Sequence, residues 1–368
     1  MKDKIINNRN YGIDILRVIS MLFVIVLHSL GHGGILKTAI VNSPQYKVAW
    51  IMEIIAYCAV DIFAIISGYV AYTDKEKDVK YSNYIKLWLE VVFYGLLINI
   101  IFNLININFV HITDYIKVLF PVSYELYWYF TAYTGLFILM PIINKGIRNL
   151  DNNMLKKVFV IIFVFFSLLG VVFENFELYR GYSFIWITLL YILGMIMKKC
   201  NIGSNTSKSK IIIGIVLLYL TTYLYRIYGF DYKALNIEIT KSLFVSYISP
   251  TMVGVSILYV LLFSKFKFNE KINKVIAFLA SSSFAIYIIN EHKLVKKLIM
   301  TNLFVGIAND SIFKIIFYVI GFSIIFVILS ILIDKFRIFI FKICKINELS
   351  EKIVNYINKC LNKVVGED

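Results

Sequence analysis

Charge is scarce in this sequence. Only 17% of its 368 residues are Asp, Glu, Lys or Arg, while 60% are hydrophobic and the mean hydropathy is +0.77. Soluble domains carry roughly 25% charge, so an ordinary soluble enzyme is excluded and an integral membrane protein is expected. Cysteine is scarce too. Cys58, Cys200, Cys344 and Cys360 form no CxxC or Cys/His pattern, so neither a disulfide framework nor a zinc site is legible. Of four histidines, only His28 and His32 have the one-turn spacing of a ligand pair, and no third ligand accompanies them, so no metal is expected. Proline interrupts only two long apolar runs, at Pro141 and Pro250.

What is abundant is long apolar sequence. Runs at residues 13–30, 48–72, 84–106, 126–144, 158–173, 182–197, 211–228, 243–263, 275–291 and 312–334 give an all-α polytopic membrane bundle of about ten transmembrane helices. At about 20 residues per crossing these use about 200 residues, leaving too little for a separate soluble enzyme domain. The first run follows a basic tail and lacks a small-residue cleavage site, so it reads as an anchor. In this scheme residues 1–334 form the transmembrane domain and residues 335–368 a cytoplasmic tail. The tail spaces Ile343, Ile346, Leu349, Ile353, Ile357, Cys360 and Val364 three or four apart among polar residues. That spacing suits an amphipathic helix, lying either on the inner membrane face or against cytoplasmic loops.

The net charge of +15 has a topological reading. With ten crossings, 26 Lys and Arg fall on the side of the termini and 11 on the other, with Arg17 alone inside the first run. Cytoplasmic segments of membrane proteins carry the excess of Lys and Arg, so both termini are expected in the cytoplasm. The basic balance is thereby accounted for, and no nucleic-acid partner is implied; the partner read directly is the lipid bilayer.

Ionisable groups inside spans are costly and mark functional candidates. Arg17 and His28 are eleven residues apart, about three helical turns, so they share one face about 16 Å apart along the axis. A long ligand with phosphates at one end and a reactive thioester at the other, of the shape of acetyl-CoA, fits that spacing. Arg supplies a forked donor for phosphate, and His, with an unperturbed pKa near 6.5, can take a proton from an attacking hydroxyl. The structural alternatives are an Arg17 that snorkels or pairs with Asp14, and a His28 that is a hydrogen-bonded helix end. Asp61 in the second run can orient a His or Arg, whereas Ser67 and Gly68 beside it read more readily as close helix packing. Glu53 and Glu90 are weaker candidates. Tyr127, Trp128, Tyr129 and Tyr133 open the fourth run as an interfacial belt or a sugar-binding face. Asn290, Glu291 and His292 form a polar triplet closing the ninth run, after Ser281, Ser282 and Ser283 open it. His32 and His111 read as ordinary outer-loop residues.

These residues together resemble the acyltransferase-3 family of multi-spanning membrane acyltransferases, particularly bacterial members that O-acetylate cell-surface polysaccharides. The resemblance covers most of the chain. It rests first on Asp14-Ile15-Leu16-Arg17 through His28, similar to the family's Arg, ten residues, His arrangement. Val60-Asp61-Ile62-Phe63 with Ser67-Gly68-Tyr69, and Tyr127-Trp128-Tyr129-Phe130 with Tyr133 and Pro141, resemble further family segments. The stretch from Phe284 to Ile289 resembles a late Phe-Gly-Ile-Tyr-Leu-Ile. Ala285 departs from a common Gly, and Asn290 from a common His, which leaves Glu291 or His292 to supply any late-histidine role. The resemblance implies donor binding at Arg17, catalysis at His28, acetyl-CoA from the cytoplasm as acyl donor, and a glycan or other hydroxyl-bearing acceptor beyond the membrane. Asp14, Asp61, Trp128, Tyr133, Glu291 and His292 are expected as supporting residues.

A polysaccharide exporter is the competing expectation. Transporters often carry matching broken helices in two halves. The runs bearing Pro141 and Pro250 are the fourth and eighth of ten, which are not equivalent positions of two five-span halves.

Overall fold

The computed structural model describes residues 9–75, 78–173, 176–234 and 237–366. Their chain order begins α1 (Tyr11–Gly31), α2 (Ile35–Thr38), α3 (Pro44–Ala56), α4 (Ala59–Ala71), α5 (Tyr81–Ile105), α6 (Ile112–Leu119), α7 (Trp128–Asn149), α8 (Asn152–Ile161) and α9 (Gly170–Phe173). It continues with α10 (Phe184–Lys199), α11 (Lys208–Tyr228), α12 (Pro250–Ser264), α13 (Glu270–Ala280), α14 (Ser283–Glu291), α15 (Lys293–Val295), α16 (Ile312–Ile343) and α17 (Ile346–Val365). A two-stranded antiparallel ribbon, β1 (Tyr232–Ala234) and β2 (Ile237–Ile239), follows α11.

The fold is a helical bundle, and among the described residues eight helical segments are long and apolar enough to cross a membrane. The two remaining apolar runs of the sequence form the shorter helices α10 and α12. The second run is divided: α3 stops at Ala56, and Tyr57 and Cys58 make a turn before α4. The fifth continues from α8 through a wider π-helical stretch, Ile162–Leu169, into α9. Past Asp334 the helix does not stop; α16 runs on to Ile343, and Lys345 in a left-handed conformation turns the chain into α17. The amphipathic tail packs along α5.

α1 is the central helix and packs against α3, α4, α12, α13, α14 and α16. Its start is set by Asn10, whose side-chain oxygen accepts from the Ile13 N–H at 3.2 Å, satisfying one of the donors that a helix leaves unpaired at its N-terminus. α4 packs most closely against α10. A Cβ added at Gly68 would stand 1.8 Å from the Tyr191 carbonyl oxygen, and one at Gly194 2.0 Å from that of Ile65. Glycine at both positions is therefore what lets the two backbones touch, the packing role expected of Gly68. Trp186, fully buried on α10, donates from Nε1 to Asp61 Oδ1 at 3.2 Å across this interface.

Candidate active site

The Arg17–His28 face of α1 looks into two cavities. The one at the His28 end has a volume of about 250 Å³ and is bordered by His28, His32, Glu291 and Lys296. Its wall is aromatic, from Trp128, Tyr129, Tyr182, Tyr247, Phe284 and Tyr287. Trp128 lies 4.7 Å from Tyr182 between ring centres, and its plane is within 19° of that of Tyr247.

The polar corner of this cavity has a defined order. His28 Nδ1 is hydrogen-bonded to Asn290 Oδ1, and Asn290 turns its Nδ2 to Met300 Sδ at 2.9 Å. A carboxamide oxygen only accepts, so His28 donates from Nδ1 and its Nε2 carries the basic lone pair. Glu291 Oε2 stands 3.7 Å from that Nε2, and Glu291 Oε1 accepts from Lys296 Nζ at 2.6 Å. The imidazole thus has a fixed tautomer, a carboxylate able to stabilise the protonated ring, and a cation that balances the carboxylate.

The cavity at the Arg17 end is larger, about 1310 Å³, and basic. Arg9, Arg17, Lys75, Lys198 and Lys199 border it, together with Asp14, Asp74, Tyr69 and Tyr72. Asp14 joins two of the cations: Arg9 Nε donates to its Oδ2 at 2.5 Å and Arg17 Nη1 to its Oδ1 at 3.3 Å. Lys199 is committed elsewhere, donating to the carbonyls of Ile147, Arg148 and Leu150 at the end of α7. Lys198 stands over the Tyr69 ring at 5.0 Å. Met21 borders the His28 cavity and Arg17 the basic one, so about one turn of α1 separates the two.

The structure therefore brings His28, Glu291 and Trp128 together at one cavity and Arg17 and Asp14 at the other. Tyr133 borders neither cavity; its ring packs against that of Phe137, 6.2 Å between centres. Asp61 borders neither cavity; it is buried and held by Trp186, and among the described residues its Oδ2 has no partner. Glu53 is buried and borders neither cavity, and Glu90 belongs to a separate cluster, 3.6 Å from Arg337, which also donates to Asp334.

His292 points away from His28. It borders a small void with Tyr127, Asp114 and Lys293, and its Nδ1 accepts from the Leu294 N–H at 3.3 Å. Burial first, and the charge of Lys293 second, push its pKa down to about 4 against a weaker pull from Asp114. For Asp114 burial acts upward, but the bonds from Lys293 and from the His111 N–H outweigh it and hold the carboxyl below its ordinary value.

Sequence reasoning missed the roles of Asn290, Lys296, Tyr182 and Tyr247. The first had a signal, a carboxamide in an otherwise apolar helix one residue before Glu291. Lys296 had a weaker one, its place five residues after Glu291 in a segment that folds back through a π-helical turn, Lys296–Met300. The tyrosines had none, because only the tertiary fold brings residues 182 and 247 to Trp128. His28 and His32 rings are 5.0 Å apart, and among the described residues no group of three His, Cys, Asp or Glu is placed to hold a metal ion.

A helical bundle with eight apolar segments long enough to cross a membrane, an oriented cavity-facing histidine and a separate basic cavity defines a multi-pass membrane protein. The chain belongs to the acyltransferase-3 family: the family model, described as an acyltransferase domain, matches residues 10–335. It is thus a membrane acyltransferase. No curated protein and no solved structure matches it.

Proposed function

We propose that the protein transfers an acetyl or similarly short acyl group from cytoplasmic acetyl-CoA to a hydroxyl of a glycan at the far side of the membrane. The observation that carries this reading is the pair of cavities on one face of α1, a basic one at Arg17 and an aromatic one at His28. The cation bias of the loops supports a cytoplasmic basic cavity, and Arg17, Arg9, Lys75 and Lys198 suit the phosphates of the donor. An extended arm reaching past Met21 brings a thioester to His28, about 16 Å along the helix.

There the Nδ1–H bond to Asn290 keeps Nε2 free to accept a proton. As the acceptor oxygen attacks the thioester carbonyl, its proton passes to Nε2, and Glu291 stabilises the imidazolium. Collapse of the tetrahedral intermediate breaks the C–S bond, and the imidazolium returns the proton to the departing thiolate. The products are the O-acyl ester and CoA. The aromatic wall supports a sugar acceptor, since faces of Trp128, Tyr182 and Tyr247 offer flat apolar surface beside the base.

The test is mass spectrometry of surface glycans from cells with and without the gene. Loss of an acyl mass increment on deletion, restored by the native gene but not by His28→Gln, is the expected result. An unchanged acyl content with reduced total surface glycan would instead indicate export.

A further inference from the structure

A second polar groove lies at the His28 end of the bundle, outside the site described above. It has a volume of about 450 Å³ and is bordered by His111, Asp114 and Lys117 from the α6 region, Lys293 and Lys297 from the segment after α14, and Phe109. Asp114 is the one carboxylate on its border, and it is already engaged: Lys293 Nζ and the His111 N–H both donate to it. Among the described residues Lys117 and Lys297 have no hydrogen-bonded carboxylate, so three lysines face one carboxylate and the groove presents an excess of positive charge.

Two features tie this groove to the His28 cavity. Asp114, Lys117 and Lys293 also border a small void of about 30 Å³ that reaches Tyr127 and His292. Tyr127 is 2% exposed, its hydroxyl has no partner among the described residues, and its ring centre is 6.4 Å from that of Tyr287, which borders the His28 cavity. The other link is the segment from Glu291 to Met300. Glu291 and Lys296 face His28 on one side of it, and Lys293 and Lys297 face the groove on the other. A helix with its side chains is about 10–12 Å across, so the two sites are roughly one helix diameter apart.

We propose that this groove binds an anionic stretch of the acceptor, a polymer carrying carboxylates or phosphates, while a neighbouring sugar presents its hydroxyl to His28. The inference rests on the acyl-transfer reading for that hydroxyl, but its charge argument is independent of it. Lys117 and Lys297 supply the attraction, Asp114 holds Lys293 at the rim, and Phe109 offers an apolar surface. Selectivity is then set by charge outside the cavity in which the reaction occurs, and it weakens as salt screens the lysines.

The test uses the full chain in phosphatidylcholine nanodiscs, with oligogalacturonate as the anionic probe and maltohexaose as the neutral one. Oligogalacturonate is expected to bind the native protein more tightly than maltohexaose. In the Lys117→Gln/Lys297→Gln variant its affinity should fall on the order of tenfold, with acetyl-CoA binding, maltohexaose binding and the unfolding midpoint unchanged. Equal affinity of variant and native protein for oligogalacturonate overturns the proposal, as does native binding no tighter than that of maltohexaose. A variant that loses only retention of phosphatidylglycerol, measured in nanodiscs of that lipid, also overturns it and assigns the lysines to lipid. Lysine-dependent oligogalacturonate binding without any acetyl-CoA binding supports the groove and removes the acyl-transfer reading.

Discussion

His28 and Asn290, 262 residues apart in sequence, are joined by a hydrogen bond from the imidazole Nδ1 to the carboxamide oxygen. This bond leaves the basic nitrogen facing the cavity and places a neutral acceptor where a second histidine would introduce another titrating group. On the proposed reaction, a base at His28 would depend on a residue that does no proton chemistry itself.

Replacing the base should separate chemistry from binding. His28→Gln retains polarity and much of the volume but cannot accept and release a proton near neutral pH. Acyl transfer in reconstituted membranes should fall by a factor on the order of 10² or more, while acetyl-CoA binding persists. Near-normal transfer would return His28 to a hydrogen-bonded helix end.

Asn290→Ala removes the bond that fixes the tautomer without touching the basic cavity at Arg17. The expected outcome is a loss in kcat on the order of tenfold or more, with the KM for acetyl-CoA unchanged. Equal changes in both constants, together with a lowered unfolding midpoint, would show that Asn290 serves packing.

Arg17→Lys keeps a charge and loses the planar fork. Acetyl-CoA affinity, measured by titration calorimetry, should weaken on the order of tenfold, and Arg17→Ala should weaken it further. Unchanged affinity in the alanine variant would leave Arg17 with Asp14 alone.

His292 gives a pH signature. Its folded pKa of about 4 lies below the unfolded value near 6.5, so between these values the unfolded chain binds more protons. Stability from this group is full above about pH 6.5 and declines as pH falls toward 4. His292→Asn keeps an acceptor for the Leu294 N–H and removes the titration, so its unfolding midpoint should fall less than that of the native protein across this window. Parallel curves would exclude His292 as the source.

Orientation is testable in a background lacking the four native cysteines. With Lys233→Cys, an impermeant thiol reagent added outside should label the protein; with Lys208→Cys, it should not. Labelling of the second position from outside would reverse the scheme and with it the proposed cytoplasmic placement of the basic cavity.

The sequence made the membrane bundle legible because apolar runs of 16 to 25 residues need only length and composition to be recognised. The shared face of Arg17 and His28 was equally accessible, since one uninterrupted helix, Tyr11–Gly31, holds both in register. The break at Tyr57 and Cys58 was not, because neither Pro nor Gly marks it. His292 looked equivalent to Glu291 in sequence; α14 ends between them, and the two side chains diverge into separate voids. Partnerships across the fold, such as His28 with Asn290 and Asp61 with Trp186, lie beyond any local pattern.

The backbone contact at Gly68 and Gly194 has a mechanical consequence. With carbonyl oxygens of the facing helix where a Cβ would otherwise stand, α4 and α10 have no clearance in which to slide or roll past each other, and they move as one body. On the proposed reaction, passage of an acyl arm between the two cavities would therefore not part this pair. The give such a passage needs would then fall to side chains on other helices, such as Met21 of α1 at the border of the His28 cavity, with the α4–α10 pair as the fixed wall they move against.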